Sequence, residues 1–207
     1  MKTVLSLSIL FSLMLLTPMA RADITEEGRG IIKGSDHPFA LKAPKGWVLD
    51  TESAVDEGIQ DVFYPKTTTW ADSMAVIYAR SDSRDEEIKT VEDVVADVLK
   101  DFHDNDSPNS VAKRDQTFTT TAGQEGVIYR YTGDRWGNFE AVAYFTEDQA
   151  INFVVFTART EEAFNASLGA FEELIKSYEY LTGEPSAVPR EFTPSMPPNR
   201  VRNPRNN

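Results

Sequence analysis

The run from Glu125 to Leu181 leaves a chain little choice of fold. Three strand-like segments follow one another, Glu125–Thr132, Asn138–Glu147 and Ala150–Ala158, and an amphipathic segment, Glu161–Tyr178, closes the run. In the first, Val127, Tyr129 and Tyr131 alternate with Ile128, Arg130 and Thr132, the period that sends successive side chains to opposite faces of a sheet. The second sets Phe139, Ala141, Ala143 and Phe145 against Glu140, Val142 and Tyr144. The third is apolar on both sides, with Ile151, Phe153 and Val155 opposing Val154 and Phe156, so it belongs in the middle of a covered sheet. Asp134-Arg135-Trp136-Gly137 and Asp148-Gln149 supply the tight corners of a meander.

The helix that follows is capped by Thr160, with Glu161 and Glu162 in its first turn, where the dipole favours negative charge. Its stripe is Phe164, Leu168, Phe171, Ile175 and Tyr178. Burying each such side chain contributes roughly 1.5–3 kcal/mol, which outweighs the roughly 1 kcal/mol cost of the helical Gly169. A second helix starts at Val91 behind Thr90, with Asp93 completing a variant of the capping box and Val91, Val94, Val95, Val98, Leu99 and Phe102 forming the stripe. One helix before the meander and one after it predict a sheet covered on both faces. Strands are also expected at Phe39–Ala43, Gly58–Tyr64 and Ser73–Arg80, and an edge strand at Val111–Thr121. The fold class is therefore α+β, mainly antiparallel, with helices on both faces.

The opening strand carries a further pattern, Phe39-x-Leu41-x-x-Pro44-x-Gly46-Trp47. This pattern, followed by a middle helix, the Ala122-Gly123-Gln124-Glu125-Gly126 turn, the aromatic meander and a final helix ending near Ser177, resembles the PsbP-like family, named for an extrinsic subunit of the photosynthetic oxygen-evolving complex. The resemblance runs from about Pro38 to Leu181 and implies an α-β-α sandwich of the kind found in bacterial periplasmic members. It implies no particular activity, because the same sandwich serves unrelated tasks, and no functional residue carries over.

The ends of the chain read differently. Lys2, the apolar run Val4–Leu16 and Ala20-Arg21-Ala22 form a signal-peptide pattern over residues 1–22, so the mature chain is expected to start at Asp23 in the periplasm or outside the cell. The apolar run is too short for a retained membrane span. Residues 23–36 are polar and glycine-bearing and read as a loop, residues 37–182 as one domain, and residues 183–207 as a Pro/Arg/Asn-rich tail that cannot pack. The chain contains no cysteine, which excludes a lipid-anchored cysteine, disulfides, thiolate metal sites and a cysteine nucleophile. The net charge of −12 becomes two units more negative once Lys2 and Arg21 are removed, and such a surface repels nucleic acid.

Few residues offer chemistry. His37 and His103 are the only histidines, and neither lies in a nucleophile or zinc motif. Asp101, His103, Asp104 and Asp106, with Asn105, form a hard-oxygen cluster that could take calcium or manganese; equally, they read as a solvated helix end. Arg135 and Trp136 on the hairpin tip have the composition of a binding hot spot, or of a ring folded back over the sheet. Trp70 either caps the core or stands exposed. The functional expectation is an exported, non-catalytic protein, monomeric or weakly oligomeric, that binds a protein partner or supports an envelope assembly and needs no cofactor. The alternative is a metal-ion or small-molecule binder using the acidic loop 101–109, and an enzyme ranks last.

Overall fold

Alternation along the central strands divides the core into two layers. A computed structural model describes residues 24–181, so the expected leader 1–22 and tail 183–207 lie outside the described residues. Within them, β8 (Glu125–Thr132), β9 (Phe139–Thr146) and β10 (Ala150–Ala158) form the antiparallel meander, and α2 (Glu161–Lys176) follows directly. Phe145, Ala143, Val154 and Phe156 point to one side and pack with Phe164, Phe171 and Leu174 of α2. Tyr144, Val142, Phe153 and Val155 point to the other and pack with α1 (Val91–Asp104) through Val91, Val94, Val95 and Phe102. All nine residues of β10 are buried, as a strand covered on both faces must be.

The meander sits inside an eight-stranded sheet. Its order is β1 (Ile24–Glu26), β4 (Trp47–Asp50), β5 (Val62–Pro65), β6 (Ala75–Ser83), β10, β9, β8 and β7 (Val111–Thr119). A separate three-stranded sheet, β11 (Glu179–Tyr180), β3 (Phe39–Lys42) and β2 (Arg29–Ile32), shares the α2-side core through Ile32, Phe39 and Leu41. The expected mainly antiparallel architecture with a helix on each face is present. Both helices begin as anticipated: the Thr160 side chain accepts from the Ala163 N–H, and Thr90 and Asp93 close a reciprocal capping box. The edge position of β7 is also as expected. Its register breaks between Arg114 and Gln116, where Arg130 Nε holds the bulged Asp115 Oδ2 at 2.8 Å.

Two expectations are corrected. The segment expected as a loop contains two strands: Ile24–Glu26 pairs with β4 and Arg29–Ile32 with β3, because backbone pairing to a waiting edge needs no hydrophobic pattern. The strand expected at Gly58–Tyr64 starts only at Val62, since a 3₁₀ turn at Val55–Glu57 ends in Gly58 at φ +76°.

Candidate functional site

Strand register decides which loops meet. Ala75 of β6 lies opposite Ala158 of β10, which lies opposite Phe139 of β9, so the 66–74 loop and the 133–138 hairpin tip stand at one end of the sheet. The turn after α1, residues 105–110, joins them because Val111 pairs with Thr132. Trp70, the acidic loop and Arg135-Trp136 are thus all brought to one end.

The hairpin tip is pinned from two directions. The Asp134 carboxylate accepts the Asn138 backbone N–H at 2.8 Å and the Asn138 Nδ2 at 3.1 Å, closing the turn over itself. Gly133, at φ +86°, lies so close to the Asn109 carbonyl that a Cβ there would stand 2.2 Å from its oxygen, and only glycine fits. Across the gap, Arg135 Nη1 reaches Asp106 Oδ2 at 2.7 Å while its backbone N–H donates to Ser107 Oγ at 3.1 Å. The guanidinium lies 4.3 Å from the centroid of the Trp136 ring, in cation–π contact. Arg135 is exposed and Trp136 half-buried, so the pair presents a cation and an aromatic face together while the ring rests partly on the protein.

The acidic loop does not gather into a metal centre. Asp104 pairs with Lys100 at 2.7 Å, Asp106 is taken by Arg135, and His103 Nε2 lies 2.9 Å from the Ser110 carbonyl. Burial raises the Asp101 carboxyl and the neighbouring Asp97 adds to the rise, so this position resists charge rather than inviting a cation by depressed acidity. Among the described residues no three His, Asp or Glu side chains are placed to hold one ion. The helix-end reading describes these residues: Asn105 Nδ2 donates to the Asp101 carbonyl and terminates α1. Trp70 is half-buried against the α1-side core and donates Nε1 to Glu57 at 3.3 Å, which makes it a cap on that core more than a free anchor.

Beneath the tip, the helix end and the first residues of β9 enclose a depression lined by Phe102, Ser110, Tyr131, Asp134, Asn138 and Glu140, together with Thr132. Ser110, Asn138 and Glu140 are buried. Nothing in the sequence announced this group, because its members come from four segments and only Glu140 breaks an apolar pattern.

The other end of the sheet holds a second polar assembly that sequence also missed. Tyr180 OH reaches Asp36 Oδ2 at 3.0 Å and His37 Nδ1 at 2.8 Å, and Tyr178 OH donates to Glu147 at 2.7 Å and accepts from Asn152 at 2.9 Å. Burial raises Glu147 and drives both tyrosine hydroxyls well above their ordinary value. These groups tie the small sheet to the large one. The one sequence signal was the pair Asp36-His37, set just before a strand.

No family model matches the chain, and no curated protein matches it. Solved structures do. The solution structure of cyanobacterial PsbP from Synechocystis is similar with a TM-score of 0.46 and 13% identity, over 80% of this chain and 96% of that one. A crystal structure from Bacteroides thetaiotaomicron gives a TM-score of 0.43 and 15% identity over 76% of this chain, which spans 49% of that protein. The Ran-binding protein Mog1p of Saccharomyces cerevisiae gives 0.42 and 9%, over 74% of this chain and 96% of its own. Identities this low bear on fold alone and say nothing of partner or activity.

Proposed function

We propose that this chain is an exported, non-catalytic protein that binds a protein partner through the sheet end carrying Arg135 and Trp136. The observation behind this reading is the pinned cation–aromatic pair: Asp106 and Ser107 hold Arg135 in place over Trp136 before any partner arrives. Tryptophan and arginine dominate interface hot spots, and a side chain already held loses little freedom on binding. The acidic surface favours a basic partner and makes capture sensitive to salt. A metal-binding role for the acidic loop has less support, since Lys100 and Arg135 occupy two of its carboxylates.

Affinity capture from the protein's own cells tests the reading. Trp136→Ala, with the fold intact by circular dichroism, is expected to weaken capture by at least about 2 kcal/mol. Equal recovery by both forms removes the tip from the account. Calcium-dependent recovery lost on changing Asp104 and Asp106 moves the function to the acidic loop. The export step is checked separately by intact mass, expected to match a chain starting at Asp23.

A further inference from the structure

We propose that Asp36, His37 and Tyr180 form a binding site for a six-coordinate first-row transition-metal ion, at the end of the sheet opposite the hairpin tip. Three donor atoms of different kinds converge there. Tyr180 OH lies 2.8 Å from His37 Nδ1 and 3.0 Å from Asp36 Oδ2, and the last two are 2.9 Å apart. With the carboxylate ionised, at most two hydrogens lie between the three atoms, one on the phenol and one on the imidazole nitrogen, so the three contacts cannot all be full hydrogen bonds. Among the described residues these side chains have no hydrogen-bond or ion-pair partner outside the trio. A metal ion in place of the two hydrogens satisfies all three donors at once.

The spacing selects the ion. Donors at neighbouring corners of an octahedron, with bonds of about 2.0–2.1 Å, stand about 2.9 Å apart, and the three observed separations scatter around that value. A tetrahedral zinc site spreads its donors to about 3.3 Å. Calcium takes roughly six to eight oxygens, whereas an imidazole among the donors turns the set toward ions such as nickel, iron and cobalt. Because the third donor is a phenol, the site differs in kind from a trio of His, Asp and Glu, of which the described residues hold none. Burial, then the Asp36 bond and charge, then Glu147 and Asp148 hold the Tyr180 hydroxyl well above its ordinary value. That negative field keeps the proton on the phenol and equally attracts a cation able to replace it. Glu147 is not itself a ligand, since its Oε1 accepts from Tyr178 OH at 2.7 Å. The donors are held before an ion arrives: Tyr180 pairs with Phe39, the Leu181 N–H donates to the Pro38 carbonyl, and Ser35 is bonded twice to Ser81. The His37 and Asp36 side chains are 25% and 14% exposed, which leaves a way in from solvent.

The inference does not depend on partner binding at the tip, so either can fail without the other. The mature, untagged protein is titrated with nickel chloride, by calorimetry for affinity and by two-dimensional amide NMR for place. The expected result is a single ion per chain, with paramagnetic broadening centred on His37 and Tyr180. Tyr180→Phe, which keeps the ring and removes the donor, is expected to weaken nickel binding at least about tenfold, and His37→Gln at least as much. Both variants are scored only where the rest of the spectrum shows the native fold, and the wild-type broadening decides the matter without them. Excess calcium is expected to leave the nickel bound. Broadening centred on His103, which lies beside Ser110 at the tip end, overturns the proposal. So does wild-type affinity in either folded variant, displacement by calcium, or no saturable binding because the trio serves only to fasten the small sheet.

Discussion

The two faces of the large sheet are built from different materials. On the α2 side, Phe145 stacks on Tyr178 with centroids 3.7 Å apart, Phe156 stacks on Phe164 at 4.8 Å, and the small sheet adds Phe39 and Leu41. On the α1 side the helix brings valines, and the sheet answers with tyrosines whose hydroxyls need partners, Tyr131 to Tyr144 at 2.7 Å and Tyr129 to Glu92 at 3.0 Å. Glu140 and Asp82 belong to this second face, by alternation with Val142 and with Val76 and Tyr78. A face covered by both a helix and a second sheet is filled by rings and aliphatic side chains, and the one tyrosine hydroxyl in that cluster, Tyr178, is paired with Asn152 and Glu147. One covered by a single 14-residue helix leaves its margins wet, and polar side chains occupy those margins.

The largest test of this contrast is a charge placed under α2. Phe171 is fully buried, and Phe171→Asp is expected to cost more than about 4 kcal/mol, the sum of a lost ring and an unpaired buried carboxylate. Val94→Ala at the equivalent depth under α1 should cost about 2 kcal/mol. Urea midpoints decide the matter: an equal or larger loss at Val94 would mean that the α1 face is no weaker.

Much of this contrast was visible in the residue order. The meander and both helices were legible because alternation and helical spacing are local, and β8 and β10 fall on the expected residues. Of the small sheet only β3 was legible, through Phe39 and Leu41; β2 and β11 were not. These two are too short to show a period, and Ile31 stands exposed while Ile32 is buried, as any strand edge allows. At the candidate site, the residue types of Arg135 and Trp136 were legible, but the pairing with Asp106 spans 29 positions and no local rule connects them. The depression under the tip has the same character, since Ser110 and Asn138 become neighbours only through pairing of β8 with both β7 and β9.

A smaller effect sharpens the comparison through pH. Burial holds the Asp82 carboxyl up at about 6, with Arg80 opposing the rise and Asp97 adding to it. Its ordinary value is 3.8, so between the two the folded chain binds this proton more tightly than the unfolded one. The stability it contributes is complete below the ordinary value and is lost as pH rises through about 6, by roughly 3 kcal/mol. Asp61, raised to about 6 by burial, has the same sign, so Asp82→Asn should flatten only part of the slope. A wild-type slope in that variant would show that Asp82 does not weaken the α1 face.

The smallest effect concerns the caps. Thr90→Ala removes half of a reciprocal box and Thr160→Ala a single bond, so the first should cost about 1 kcal/mol and the second slightly less. Amide exchange in the first turn of each helix reads the difference, and the opposite order would mean that the Asp93 bonds to the Lys89 and Thr90 N–H groups persist without the threonine hydroxyl.

The bulge in β7 has a consequence for life at high concentration. A sheet's outer strand is a template, and a flat one recruits copies of itself into fibres. Here one border is a nine-residue strand interrupted at Asp115 and bearing Lys113 and Arg114, and the other border, Ile24–Glu26, is three residues long. Neither offers an incoming strand an uninterrupted, uncharged row of backbone groups. Addition of a strand to either border of the large sheet is therefore disfavoured, among the described residues.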